Sequence, residues 1–103
     1  MSVAPKRVLK WKQAAIDDLA AIIDWIANDS PSAADRFHRE IVERIVLLAS
    51  FPESGGPCLE YPKARQLIHD NYVVYYTVNR RELIIRAVVH GARVFRKSWL
   101  RRR

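Results

Sequence analysis

What most constrains this chain is a change of hydrophobic period halfway along it. From Ala14 to Ser50 apolar residues recur at helical spacing, whereas from Arg65 to Val89 they form dense runs of Val, Ile and Tyr. Helical segments grouped first and strands grouped last predict an α+β fold in which helices cover one face of a small antiparallel sheet. Ala14 to Ala27 is the first helix, with Ile16, Leu19, Ile23 and Ile26 on its core face. Asn28-Asp29-Ser30-Pro31 ends it and starts a second helix to about Ser50, with Ser30 as N-cap and Pro31 at the first helical position. Ala34, Phe37, Ile41, Ile45 and Leu48 form the second core stripe, and the short connector makes an antiparallel hairpin.

Val3 to Trp11 reads as a strand before the helices, extending to residue 12 at most. After them, 51–63 holds Pro52, Gly55-Gly56-Pro57 and Pro62 and is an irregular crossing loop. A three-stranded meander fills 64–90: Arg65 to His69, a tight turn near Asp70-Asn71, Tyr72 to Val78, a turn at Asn79-Arg80-Arg81, and Leu83 to Val89. The order is β-α-α-β-β-β in a single domain over 1–103, with 91–103 a basic C-terminal segment.

The chain of 103 residues has no apolar run long enough for a bilayer helix, and its N-terminus lacks the apolar core of a secretory signal. One cysteine, Cys58, makes no internal disulfide, and no Cys/His cluster suggests a metal. A cytoplasmic protein without cofactor fits. Its net charge of +7 is carried by the second half: residues 1–51 hold seven basic and seven acidic side chains, residues 52–103 eleven and four. Six of those cations lie in Arg93 to Arg103, with no acid among them, a field that attracts an anionic partner. For Arg101 to Arg103 the simpler reading is an untethered, solvated tail.

On the helical wheels Trp25 points away from the first core stripe, and Val42, Val46 and Ala49 form a second apolar strip on the second helix. These side chains either pack helix against helix or leave a surface for a partner. On the last strand, parity puts Arg86 and His90 on one face and Leu83, Ile85, Ala87 and Val89 on the other.

The stretch Ala64-Arg65-Gln66-Leu67-Ile68-His69-Asp70-Asn71-Tyr72-Val73-Val74-Tyr75-Tyr76-Thr77-Val78, with Leu83 to Val89 followed by His90-Gly91-Ala92-Arg93, resembles the C-terminal half of the ParE/RelE toxin superfamily. The first half is similar too: Ala14-Ala15-Ile16-Asp17-Asp18-Leu19, Ala33 to Phe37, and the Phe51 to Gly55 loop. The resemblance spans nearly the whole chain and implies the toxin of a bacterial type II toxin–antitoxin system, of the kind tied to plasmid stabilization. Its implied partner is a cognate antitoxin, ParD-like with an acidic toxin-binding tail. That antitoxin would also supply the contact with operator DNA, which the toxin would reach only indirectly. No membrane partner and no cofactor are implied.

The superfamily divides by target, RelE-like members cutting messenger RNA on the ribosome and ParE-like members inhibiting DNA gyrase. Metal-free RNA cleavage needs a proton acceptor, cations for the phosphate and an acid for the leaving oxygen. Aligning the strands keeps Arg93 after the last one. The middle-strand arginine falls at Val73, the lysines at Gln66 and Ile68, and the tyrosine at Trp99. A valine cannot neutralise phosphate, nor an indole N–H donate a proton at neutral pH, so the ParE-like branch is favoured and no catalytic set is assigned. A nuclease would have to use Arg93, His90, Arg86 and Arg65. His90 has the plainer reading of a histidine bonded to the turn at Gly91, Arg65 that of an edge charge, and Tyr72, Tyr75 and Tyr76 that of packing residues. For gyrase docking the expected residues are Arg93, Arg96, Lys97, Trp99 and Leu100, where aromatics sit between cations. For the antitoxin they are Trp25, Ile22, Val42, Val46, Arg65 and Arg86. The remaining alternative is a non-toxic nucleic-acid-binding module with a toxin fold.

Overall fold

A computed structural model describes residues 6–93 and 95–102. Strand β1 (Val8–Trp11) leads into helices α1 (Gln13–Asp29) and α2 (Pro31–Leu48). A 3₁₀ turn (Pro52–Ser54) and a two-residue strand β2 (Gly56–Pro57) follow. Strands β3 (Arg65–His69), β4 (Tyr72–Val78) and β5 (Glu82–His90) come next, and a second 3₁₀ turn spans Lys97–Arg101. The expected strand start at Val3 lies outside the described residues, and Lys6 and Arg7 precede β1 without strand structure.

Local chemistry sets these limits. The Ser30 hydroxyl accepts the Ala33 N–H at 3.2 Å, satisfying an orphan donor of α2, and Pro31 begins the helix where no N–H is needed. Asp70 adopts a φ of 52°, which Asp tolerates better than most residues, and this closes the two-residue turn between β3 and β4. At Asn79 the side-chain oxygen accepts the N–H groups of Arg81 and Glu82, at 2.9 and 2.8 Å, and fixes the turn into β5.

The sheet runs in the order β1-β5-β4-β3-β2, so the first strand lies beside the last long one and pairs with it in parallel. All other pairs are antiparallel. Lys10 of β1 meets Glu82 of β5 at 2.7 Å, and this contact lowers the Glu82 carboxyl below its ordinary range.

Helices cover one face of the sheet. The core there joins Ala15 and Leu19 of α1 and Phe37, Ile41, Ile45 and Leu48 of α2 to Leu67, Val74, Tyr76, Leu83, Ile85 and Val88. Each fully buried aliphatic side chain in such a core stabilises by about 1.5–3 kcal/mol. The α2 stripe is as the periodicity predicts. On α1 the burial is rotated: Ala15 and Leu19 are buried, Ile23 and Ile26 only partly so, and Ile16 is exposed. Ala15 turns inward because α1 leans on β5, which leaves Ile16 on the outer side of the hairpin. Ala49 is likewise buried rather than part of an outer strip.

The opposite face has its own cover. Cys58, Ala64, Val73, Tyr75, Ala87, Val89, Trp99 and Leu100 form a second core beneath the 58–64 loop and the C-terminal turn. This requires a correction on β5. Tyr75 pairs with Ala87 but Tyr76 pairs with Ile85, so Arg86 is an extra, bulged residue. Alternation resets there, placing Leu83, Ile85 and Val88 toward the helices and Ala87 and Val89 on the other side. Arg86 and His90 therefore do not share a face: Arg86 reaches Thr77 and Leu100, while His90 stacks edge-on against Tyr72, which touches Phe37 of α2.

Candidate functional site

The C-terminal segment is built into the sheet's second face. Tyr75, Phe95 and Trp99 form an aromatic cluster with centroids 5.2–5.9 Å apart, and the Arg93 guanidinium lies 5.3 Å above the Trp99 ring. Trp99 and Leu100 are only 6% and 7% exposed, so they are packing residues in the free chain and not presented anchors. Of the expected docking set, Arg93, Arg96 and Lys97 remain exposed, and Val94 lies outside the described residues.

Arg102 overturns the expectation of an untethered end. Its guanidinium donates to both carboxylate oxygens of Asp18 on α1, one at 3.0 Å, and to the Arg86 carbonyl at 3.1 Å. Asp18 also accepts the Val88 N–H at 3.0 Å. Strand β1 pairs with β5 only as far as Ile85, so the rest of that edge has no strand partner. Asp18 and Arg102 satisfy the backbone groups exposed there. Arg103 lies outside the described residues.

The residues a nuclease would need are dispersed. Arg65 donates to the Gly55 carbonyl at 2.8 Å, tying β3 to the crossing loop. His90 Nδ1 accepts the Ala92 N–H at 3.1 Å and closes the turn after β5, and the Gly91 N–H goes to Asn71. Arg86 and Arg93 lie on the second face, one bonded to the Leu100 carbonyl and the other over Trp99, away from Arg65 at the crossing loop and His90 beside Tyr72. None of the hydrogen bonds these four side chains make joins one of them to another, and none of the described residues forms a His, Cys, Asp and Glu group fit to hold a metal ion.

The antitoxin set is split over separate surfaces. Val42 lines an open groove of about 610 Å³ with Trp11, Ile16, Leu19, Ile23 and His38, running between the helices and β1. Val46 is exposed one turn beyond it, and Ile22 is partly buried against the helix-side core. Trp25, 74% exposed, stands instead beside a pocket between the hairpin turn and the β3–β4 turn, lined by Asp29, Arg36, Glu40 and Asp70. Next to it His69 is buried, its Nδ1 3.2 Å from Arg44 and its Nε2 without a hydrogen bond, 3.9 Å from Glu40 and 3.8 Å from Asp70. Arg65 and Arg86 are held by main-chain and hydroxyl acceptors elsewhere.

One cluster was missed from the sequence. On the second face Lys63, Arg86, Lys97 and Arg101 line a pocket together with Tyr61 and Thr77. The excess of cations after residue 52 was the available signal; that a loop lysine meets the C-terminal turn was not readable from it.

A helical hairpin on one face of a five-stranded sheet, with the other face roofed by the C-terminal 3₁₀ turn, defines a small α+β fold. A solved structure described as the chromosomal ParDE TA system from P. aeruginosa is similar to it at 27% identity, with a TM-score of 0.72, covering 82% of this chain and 96% of that one. Residues 9–95 match the family described as ParE toxin of the type II toxin–antitoxin system parDE. The chain belongs to that family. No curated protein matches it. Among the described residues no helix is long and apolar enough to cross a membrane.

Proposed function

We propose that this chain is a ParE-like toxin that inhibits DNA gyrase and is neutralised by a cognate, ParD-like antitoxin. The observation that carries the reading is the family match over residues 9–95. The dispersal of Arg65, Arg86, His90 and Arg93 supports inhibition by binding over cleavage, because acid–base chemistry requires its groups within reach of one reacting centre. For the target we retain the exposed cations Arg93, Arg96 and Lys97, displayed on the framework that Trp99 and Leu100 hold in place. For the antitoxin we assign the apolar groove at Ile16, Ile23 and Val42, which suits the apolar face of an amphipathic helix. Its rim carries Asp24 and His38. Acidic residues elsewhere on the antitoxin would meet the basic half and raise the association rate. The protein would act in the cytoplasm and reach operator DNA through the antitoxin.

A purified gyrase supercoiling assay run beside in vitro translation tests this. Loss of supercoiling with translation intact is expected, and antitoxin should restore it. Arrested translation with new 5′ ends in ribosome-bound messages, gyrase being unaffected, would overturn it.

A further inference from the structure

We propose that the pocket between the 61–63 loop, β4, β5 and the C-terminal 3₁₀ turn binds a phosphate group of a single nucleic-acid strand. Lys63, Arg86, Lys97 and Arg101 line a cavity of about 290 Å³, and no carboxylate lines it with them. Four like charges gathered in one pocket repel one another, and a bound anion relieves that cost. Among the described residues Lys63, Lys97 and Arg101 make no ion pair, and Asp18 on α1 is taken by Arg102.

Arg86 gives the pocket its directional donor. The bulge turns this side chain onto the second face, where its Nε donates to Thr77 Oγ1 at 2.9 Å and its Nη1 to the Leu100 carbonyl at 3.0 Å. The guanidinium is thereby fixed in orientation, and its Nη2 has no acceptor among the described residues. A preset planar donor of this kind matches phosphate oxygens well. The three exposed cations around it supply charge without fixed geometry.

One observation favours a nucleic-acid strand over an acidic peptide. Lys97 lies 5.9 Å from the centroid of Tyr61, a partly buried aromatic at the pocket wall, so cation and ring are placed together as in single-strand binding surfaces. Arg93 and Arg96 continue the exposed cations along the same segment, extending the path open to a polyanion beyond the pocket. The pocket avoids the positions at Gln66, Ile68, Val73 and Trp99, and Lys97 and Arg101 lie past the family match at residue 95. The inference does not depend on gyrase as the target.

The test is fluorescence anisotropy of the full chain with a labelled mixed-sequence 12-mer of single-stranded DNA across a salt series, with a polyglutamate peptide as a second probe. Lys63→Gln, Lys97→Gln and Arg101→Gln alter exposed side chains, and circular dichroism checks that each variant is folded. Each is expected to weaken oligonucleotide binding several-fold and to reduce the slope of log K against log salt by about 0.7. Arg39→Gln and Arg80→Gln, exposed cations outside the pocket, are expected to leave both unchanged. Equal losses from all five variants would reduce the effect to diffuse charge and overturn the pocket. Preferential binding of polyglutamate through the same three residues would overturn the nucleic-acid assignment, and so would no binding of the 12-mer by the wild-type chain at low salt.

Discussion

Arg102 grips Asp18 across 84 positions of sequence, and the same carboxylate accepts the N–H of Val88 at the unpaired edge of β5. Three parts of the chain meet at this carboxylate: the first helix, the last strand and the C-terminus. Replacing Asp18 by Ala strands both a guanidinium and a strand N–H, which costs about 2–4 kcal/mol for a part-buried, charge-assisted site. Arg102→Ala is expected to cost less, since Asp18 keeps its bond to Val88. Urea unfolding of both single variants and the double variant checks this, with the double costing clearly less than the sum.

Trp99 separates packing from docking. Trp99→Ala opens a cavity under the sheet and is expected to lower stability by about 3–5 kcal/mol. A truncation after Val94 would therefore abolish toxicity by damaging the fold, whatever the segment docks against. Arg96→Ala and Lys97→Ala, at exposed positions, are expected to leave the thermal midpoint nearly unchanged. Loss of gyrase inhibition in these two folded variants would identify the docking cations.

Gly55 is required by a close approach. Its φ is an ordinary −81°, but a Cβ there would lie 2.6 Å from the Gln66 carbonyl oxygen and closer still to the Tyr76 hydroxyl. That hydroxyl donates to the Pro52 carbonyl at 2.6 Å, so it cannot simply move aside. Gly55→Ala is expected to destabilise by about 1–3 kcal/mol through overpacking. In the background of Tyr76→Phe the same substitution should cost less, because one of the two obstacles is gone; thermal melts of the four proteins measure this.

Burial pushes the Cys58 thiol above its ordinary 9.0, with the Glu60 carboxylate adding to the effect. It pushes the Tyr75 phenol above its ordinary 10.0, with smaller contributions from Cys58 and Glu60. Raised values favour the neutral forms in the folded chain. Their stabilisation is complete below the unfolded values and is lost as pH climbs through the folded ones. Stability is thus expected to decline above pH 9.0, starting with Cys58. Cys58→Ala should remove the earlier part of the decline in denaturant midpoints measured against pH, and native Cys58 should alkylate slowly at neutrality.

Val42 tests the antitoxin groove. Val42→Glu places a charge in an apolar channel that already borders solvent, so the fold is expected to survive while antitoxin affinity falls by about 2 kcal/mol or more. Calorimetric titration of antitoxin into the variant is the measurement, with Trp25→Ala as a comparison from the separate surface beside Asp70.

Those surfaces show where sequence reasoning ended. The α2 stripe and the hairpin of β3 and β4 were legible because local spacing and turn chemistry dictate them. Arg86 was misplaced because a single bulged residue inverts strand parity, and nothing local announces it. Ile16 was assigned inward because a wheel gives the width of an apolar face but not its rotation against a neighbour. The C-terminal segment was read as display because its aromatics and cations alternate. Its burial depends on a hydrophobic sheet face that is uncovered only once the helices are known to occupy the other. The basic pocket needed all three facts at once.

The parallel pairing of β1 with β5 has a temporal consequence. A chain made from its N-terminus has β1 and both helices long before it has their sheet partner, since β5 begins only at Glu82. Until then β1 has no strand to join, and Leu83, Ile85 and Val88 are missing from the core beneath α1 and α2. Closure waits on contacts between the two ends of the sequence, which is the slow kind of folding step. The folded toxin comes into being only once β5 has been made and has taken its place between β1 and β4.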